Sequence, residues 1–167
     1  MRKKLTALVL VCMMAAALTA CGSGSKKNGT LHYTLPDGFT EQSEGSGQYV
    51  TADYPNDSSN IIVQETKDDP YGADYTEEQF TELVATAYDA QGYTIDNFNI
   101  DEFTKEKING YDTLLIDCTY TLMGIEIEQI EFLAQIGDTT HVITYTTSPN
   151  LGWHDAFRQS VDTITID

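Results

Sequence analysis

Three runs of alternating residues, joined by two-residue turn signals, constrain this chain most. Leu114, Ile116, Cys118, Tyr120 and Leu122 are apolar at every second position, the period that places one face of a strand against a core. Asn109-Gly110 stands before them, and Asn-Gly is the strongest short signal for a tight hairpin. Met123-Gly124 turns the chain into a second run, Ile125 to Ile136, and Gly137-Asp138 turns it into a third, Thr139 to Thr147. A lone hairpin is marginal in water, so these strands must share a sheet and be covered by helix. In the second run the apolar phase slips between Ile127 and Ile130, which predicts a β-bulge near Glu128.

The flanking segments supply the cover. Strands are expected at Leu31–Leu35, stopped by Pro36-Asp37-Gly38, then at Gln48–Tyr54 and Asn60–Thr66, with turn formers at residues 55–59 between the last two. A helix follows. Thr76 can cap it, Gln79 completes a capping box, and Glu77 and Glu78 suit the positive end of the helix dipole. Phe80, Leu83, Val84, Ala87 and Tyr88 fall on one helical face, and Gly92 can end the helix. Another strand is expected over Phe98–Lys107. A last helix is expected from Ser148 and Pro149 onward, with Trp153, Phe157 and Val161 four apart, then a short closing strand at Thr163–Ile166.

The first residues carry an address rather than a fold. Arg2, Lys3 and Lys4 precede an apolar stretch from Leu5 to Leu18, and Leu18-Thr19-Ala20 ends at Cys21. The stretch is shorter than the roughly 20 residues a membrane-crossing helix needs, so residues 1–20 read as a signal peptide. The pattern resembles a bacterial lipoprotein signal. That resemblance implies a diacylglycerol on the Cys21 sulfur, cleavage before it, and attachment to the membrane outside the cytoplasm. Residues 21–30 then form a lipidated cysteine and a Gly/Ser-rich linker, and residues 31–167 form one domain. The linker from Gly22 to Gly29 reaches roughly 15 Å, so the domain sits near the membrane. Lys26 and Lys27 could meet anionic headgroups or serve only as solvated linker residues.

Charge narrows the partners. Removing residues 1–20 from the 167 leaves 147, and the loss of Arg2, Lys3 and Lys4 takes the formal net charge from −17 to −20. A chain so acidic does not bind nucleic acid by charge. Neutral, cationic or metallic partners remain, or the charge only keeps a surface protein in solution. After cleavage Cys118 is the one cysteine besides Cys21, so no internal disulfide can form. Cys118 has no basic or histidine neighbour in sequence and reads as a buried, inert thiol.

The order of these elements resembles the PsbP/Mog1-like domains. Three stretches carry the likeness: Leu35-Pro36-Asp37-Gly38-Phe39 after the first strand, Ile108-Asn109-Gly110-Tyr111 opening the central hairpin, and the ending from Tyr145-Thr146-Thr147 through Trp153 and Phe157 to Ser160-Val161-Asp162-Thr163-Ile164. The resemblance implies an α+β fold, an α/β/α sandwich around a mainly antiparallel sheet. It also implies a domain that binds another macromolecule and is not an enzyme. It carries no site residues over.

The residues themselves offer little chemistry. His32, His141 and His154 lack zinc spacing, no nucleophile motif occurs, and no metal or cofactor is expected. Asn97, Asn99 and Asp101 alternate as in a calcium loop, but Glu102 and Ile108 stand where glycine and glutamate belong. Asp68, Asp69 and Asp74 form a second acidic loop. Ten tyrosines would suit sugar stacking, but no exposed platform can be placed. The candidate partner-binding residues are Glu126, Glu128 and Glu131, which a bulge would crowd on one exposed hairpin face; the plain alternative is a solvated face. The leading expectation is therefore a membrane-anchored cell-surface lipoprotein, a non-catalytic protein-binding or accessory module of the envelope. The rival is a lipoprotein that holds a calcium-like cation or a small solute.

Overall fold

The antiparallel meander forms as its turn signals dictate, and everything else packs on it. In a computed structural model that describes residues 29–167, β5 (Ile95–Ile108), β6 (Tyr111–Leu122), β7 (Ile125–Ile136) and β8 (Thr139–Thr147) are joined by two-residue turns. With β2 (Phe39–Glu41), β3 (Gln48–Thr51) and β4 (Asn60–Lys67) they make a seven-stranded sheet of order β2-β3-β4-β8-β7-β6-β5, with every neighbouring pair antiparallel. The leader, Cys21, Lys26 and Lys27 lie outside the described residues.

One helix covers each face. The α1 helix (Glu77–Asp89) starts with the expected capping box. The Gln79 N–H donates to Thr76 Oγ1 at 3.2 Å, and the Thr76 N–H donates to Gln79 Oε1 at 2.9 Å. It ends where Gly92, at φ +81°, lets the Gly92 N–H reach Asp89 O and the Tyr93 N–H reach Tyr88 O. Phe80, Val84 and Tyr88 are buried on Leu114, Ile116, Cys118, Tyr120 and Leu122, the alternating set of β6. On the other face α2 (His154–Val161) buries Phe157 and Val161 against Ile61, Ile130, Phe132, Ile143 and Tyr145. Eight residues are too few to hold a helix in water, so α2 exists because of that burial. Phe157 lies 5.5 Å from Phe39 and 5.3 Å from Tyr145, ring centroid to centroid.

Several expectations need correction. β6 and β7 pair without a shift from Thr113↔Ala134 to Leu122↔Ile125, so there is no bulge at Glu128. The phase slip arises because both faces of β7 are covered. Ile130, Phe132, Ala134 and Ile136 point to α2, while Leu133, with the buried polar Gln129 and Glu131, points to α1. The register shifts lie in β5 instead, between Asp96 and Asn99 and between Ile100 and Glu102. That strand is a sheet edge, where bulges blunt pairing with other chains.

The termini also differ. The first strand is only β1 (Leu31–His32), and it pairs with β9 (Thr165–Ile166) rather than joining the main sheet. Beyond it, side chains replace the ladder: the Thr34 N–H donates to Thr163 Oγ1 at 2.8 Å and Ser160 Oγ donates to Thr34 O at 2.6 Å. Gln48–Tyr54 shortens to β3, which ends at Thr51. Ser148 and Pro149 begin a 3-10 turn (Pro149–Leu151), and α2 starts only after Gly152, at φ +74°, has reversed the chain.

Two truncations separate local from tertiary stability. Phe80→Ala is expected to cost about 3–5 kcal/mol by emptying the α1 core. Thr76→Ala is expected to cost about 1 kcal/mol by removing the cap. Urea unfolding of both variants measures the difference, and equal midpoints would contradict this account of α1.

Candidate functional site

The meander register assembles a polar surface on the α2 side of the sheet, next to the β6–β7 turn. Asn99 of β5 lies opposite Thr119 of β6, which lies opposite Glu128 of β7. The next row outward is Asp96, Thr121 and Glu126. Asp96, Asn99 and Glu126 are exposed and Thr119, Thr121 and Glu128 half-buried, because α2 reaches over the sheet only further inward. The outward phase of three strands thus makes a face of carboxylates, an amide and hydroxyls.

Where α2 meets this face, charges interlock. Asp117 is only 8% exposed. His154 Nε2 approaches its two carboxylate oxygens at 3.0 and 3.1 Å. Arg158, one turn along the same helix face, brings Nη1 to 3.5 Å from Asp117 Oδ2 and donates from Nη2 to Glu102 Oε2 at 2.8 Å. Thr104 Oγ1 donates to the other Glu102 oxygen at 3.0 Å. The cluster ties α2 to β5 and β6 and engages the His154 ring and the Arg158 guanidinium. Among the described residues Glu128 has no lysine or arginine partner. Burial pushes the Glu128 carboxyl up, Asp117, Glu126 and Asp155 push it the same way, and His154 opposes them.

The three glutamates named from sequence do not stand together. Glu126 and Glu128 share the α2-side face, whereas Glu131 is on the α1 side and 1% exposed. There it ends a chain of buried polar groups. Tyr88 and Tyr120 share a hydrogen bond of 2.6 Å, Tyr120 donates to Gln129 Oε1 at 2.7 Å, and Gln129 Nε2 donates to Glu131 Oε1 at 2.6 Å. Glu131 Oε2 has no hydrogen-bond partner among the described residues. Burial pushes this carboxyl up to about 7, against the pull of Gln129. Glu131 is a core residue and not, as its sequence neighbourhood suggests, part of the exposed hairpin face.

The calcium-like residues are otherwise engaged. Asn97, Asn99 and Asp101 lie in the bulged half of β5, not in a loop. Asn99 Nδ2 donates to Asp101 Oδ1 at 2.7 Å and Asn97 Nδ2 to Thr121 Oγ1 at 3.3 Å. In the other loop Asp69 accepts from the Tyr71 N–H at 3.0 Å and from Tyr75 Oη at 3.3 Å, and Asp74 pairs with Lys105 at 2.7 Å. Among the described residues no group of three or more His, Cys, Asp or Glu is placed to hold a metal ion. Of the other histidines, His32 meets Asp167 at 3.1 Å and His141 meets Glu65 at 3.3 Å. Cys118 is fully buried in the α1 core.

Sequence reasoning missed the Asp117–His154–Arg158–Glu102 cluster. One signal was present: His154 and Arg158 are four apart on the last helix, so they share a face. Nothing in the chain before folding says that Asp117 and Glu102 lie under that face.

Two measurements test this picture. Asp117→Ala strips a buried carboxylate from the Arg158 guanidinium and the His154 ring and is expected to cost about 3 kcal/mol or more. Glu102→Ala, at a half-exposed pair, is expected to cost about 1 kcal/mol or less. Glu131 gives a pH signature. Its folded carboxyl keeps a proton up to about 7, against an ordinary 4.5, so its contribution is full below about pH 4.5 and falls as pH rises through 7. Glu131→Gln should therefore be more stable than the parent at pH 8, by on the order of 3 kcal/mol, with the gap closing at pH 4.5. A gap independent of pH would contradict the assignment.

Comparisons with known proteins bear on the fold. No protein-family model matches the chain, and no curated protein matches it. Among solved structures, cyanobacterial PsbP (CyanoP) from Synechocystis sp. PCC 6803 is similar at 9% identity, over 90% of this chain and 99% of that one, with a TM-score of 0.54. LpqN of Mycobacterium tuberculosis, described as involved in cell envelope biogenesis, is similar at 14% identity, over 86% of both chains, with a TM-score of 0.51. The chain has a PsbP-like α+β fold.

Proposed function

We propose that this chain is an extracytoplasmic lipoprotein, anchored through lipid on Cys21, whose folded part is a non-catalytic accessory module that binds another protein of the envelope. The observation that carries the binding role is the polar face of rows Asn99–Thr119–Glu128 and Asp96–Thr121–Glu126, which among the described residues no helix covers and whose carboxylates there pair with no lysine or arginine. Uncompensated carboxylates on a rigid sheet present a fixed negative potential, which selects and steers a basic protein surface more than it adds raw affinity. The placement outside the cytoplasm draws support from the leader and from the part LpqN, a protein of similar fold, has in cell envelope biogenesis. The lipid draws support from Leu18-Thr19-Ala20-Cys21. Among the described residues no helix is long and apolar enough to cross a membrane, so in this reading the lipid supplies the attachment.

Labelled palmitate and membrane fractionation test the anchor. The parent chain should take up label and sediment with membranes, and Cys21→Ala should do neither. A Cys21→Ala chain that still carries label and sediments would overturn it. Cross-linking on intact cells then tests the binding role, which fails if no protein is captured through any part of the domain.

A further inference from the structure

The domain has two unlike ends. At one end the chain enters: the Thr30 N–H donates to Asp167 O at 3.3 Å, a Cβ on Gly29 would lie 2.6 Å from Tyr111 Oη, and Asn109 Nδ2 donates to Ile166 O at 3.1 Å. The lysines among the described residues are toward this end too. Lys67 is opposite Thr139, Lys105 opposite Leu114 and Lys107 opposite Asp112. β6 runs away from it for twelve residues, about 40 Å at 3.3 Å per residue, to the Met123-Gly124 turn. There Met123 is 71% and Ile125 48% exposed, two of the three large exposed apolar side chains among the described residues. Asp96 and Glu126 stand in the adjoining row on the α2 side of the sheet, with Ile125 on the α1 side, and no described lysine lies in these rows.

Met123 also breaks a local rule. Two turns of the meander share one backbone form: Asn109 at φ +51° with Gly110 at +88°, and Met123 at φ +53° with Gly124 at +80°. Asparagine is suited to the first position and methionine is not, since its Cβ crowds the following carbonyl in the left-handed region. At position 123 the chain therefore keeps a side chain that costs stability in the backbone and exposes apolar surface to water. Such conflicts between local preference and fold concentrate at functional positions.

We infer that the Met123–Ile125 hairpin tip is the membrane-distal contact of this protein, and that it docks into an apolar socket rimmed by lysine or arginine on an envelope protein. The apolar residues supply desolvated contact area. Asp96 and Glu126 on the α2-side flank of the tip call for basic groups on that side of the socket, because the Arg158 guanidinium and the His154 ring are already engaged by Glu102 and Asp117. The distal placement rests on the lipoprotein reading above; the contact itself does not.

The test uses the full acylated chain on native cells, with the photoreactive residue benzoylphenylalanine placed in turn at positions 123, 125, 99 and 71. Adducts to one protein are expected from 123 and 125, about fivefold above those from Tyr71 near the chain-entry end, through a partner segment that is apolar and flanked by Lys or Arg. Asp96→Lys with Glu126→Lys should cut that yield by a similar factor, as charge reversal at a rim does. Adducts from Asn99 alone would leave the binding role standing and overturn the tip. Adducts to a second copy of this chain, or through an acidic segment, would overturn it as well. No adduct from any position would remove both readings. A synthetic peptide of the captured segment should bind the Met123→Asn, Ile125→Thr double variant about tenfold more weakly than the parent. The variant's melting temperature should not fall, since both replacements suit their backbone. Unchanged affinity would overturn the proposal, and the melting temperature excludes misfolding as the cause of a loss.

Discussion

Burial of β6 and β7 on both faces is the constraint on which the rest of this structure depends. A seven-stranded sheet with one wet face would need only one helix. Here the central strands carry apolar side chains in both phases, so α1 must cover one face and α2 the other. The helices are unequal in what they bring. α1 has a capping box and a defined end, and its local signals agree with its packing. α2 has eight residues, no side-chain cap, and two buried anchors. It is held by Phe157 and Val161 beneath it and, at its flank, by the His154 hydrogen bonds to Asp117 and the Arg158 ion pair with Glu102. The same contacts leave the outer rows of the sheet bare, so the shortness of α2 creates the exposed polar face.

Polar groups inside the sandwich follow from the same constraint. Gln129 and Glu131 sit in the phase of β7 that must face α1, and they are tolerated because Tyr88 and Tyr120 extend hydrogen bonds to them. A carboxyl at the end of such a chain, with one oxygen unsatisfied, is cheaper to bury neutral than charged. The chain thus couples the two halves of the α1 core to pH. On the other face a nearly buried Asp117 carboxylate instead meets the His154 ring and the Arg158 guanidinium.

Read together, the two ends of the domain differ in kind. The entry end gathers the first described residues, the C-terminus, the described lysines and the shortest strands, and charges there pair locally, as in Lys105 with Asp74 and Lys107 with Asp112. The far end offers apolar side chains at a tight turn and carboxylates without lysines. Under the proposed anchor, this polarity would present the least compensated surface away from the tether, as the proposed accessory role requires.

The amino-acid order by itself determined the meander, its two-residue turns, the capping box of α1 and the inward set of β6, because each rests on residues within a few positions of one another. It also carried the α+β class. It misplaced the bulge, lengthened the first strand and moved the start of the last helix. In each case a partner distant in sequence decides: β7 is covered on two faces, β1 finds β9, and Gly152 delays α2 until Phe157 can reach the core. The site divides the same way. Glu126 and Glu128 could be picked out as neighbours in one strand phase, but only cross-strand register brings Asp96, Asn99, Thr119 and Thr121 beside them. Only helix packing sets His154 and Arg158 over Asp117 and Glu102, and only the depth of the α1 core takes Glu131 away from the surface. Local preference acts through the chain, whereas charge pairing and burial act through space, and space is settled only when the sheet has closed against both helices.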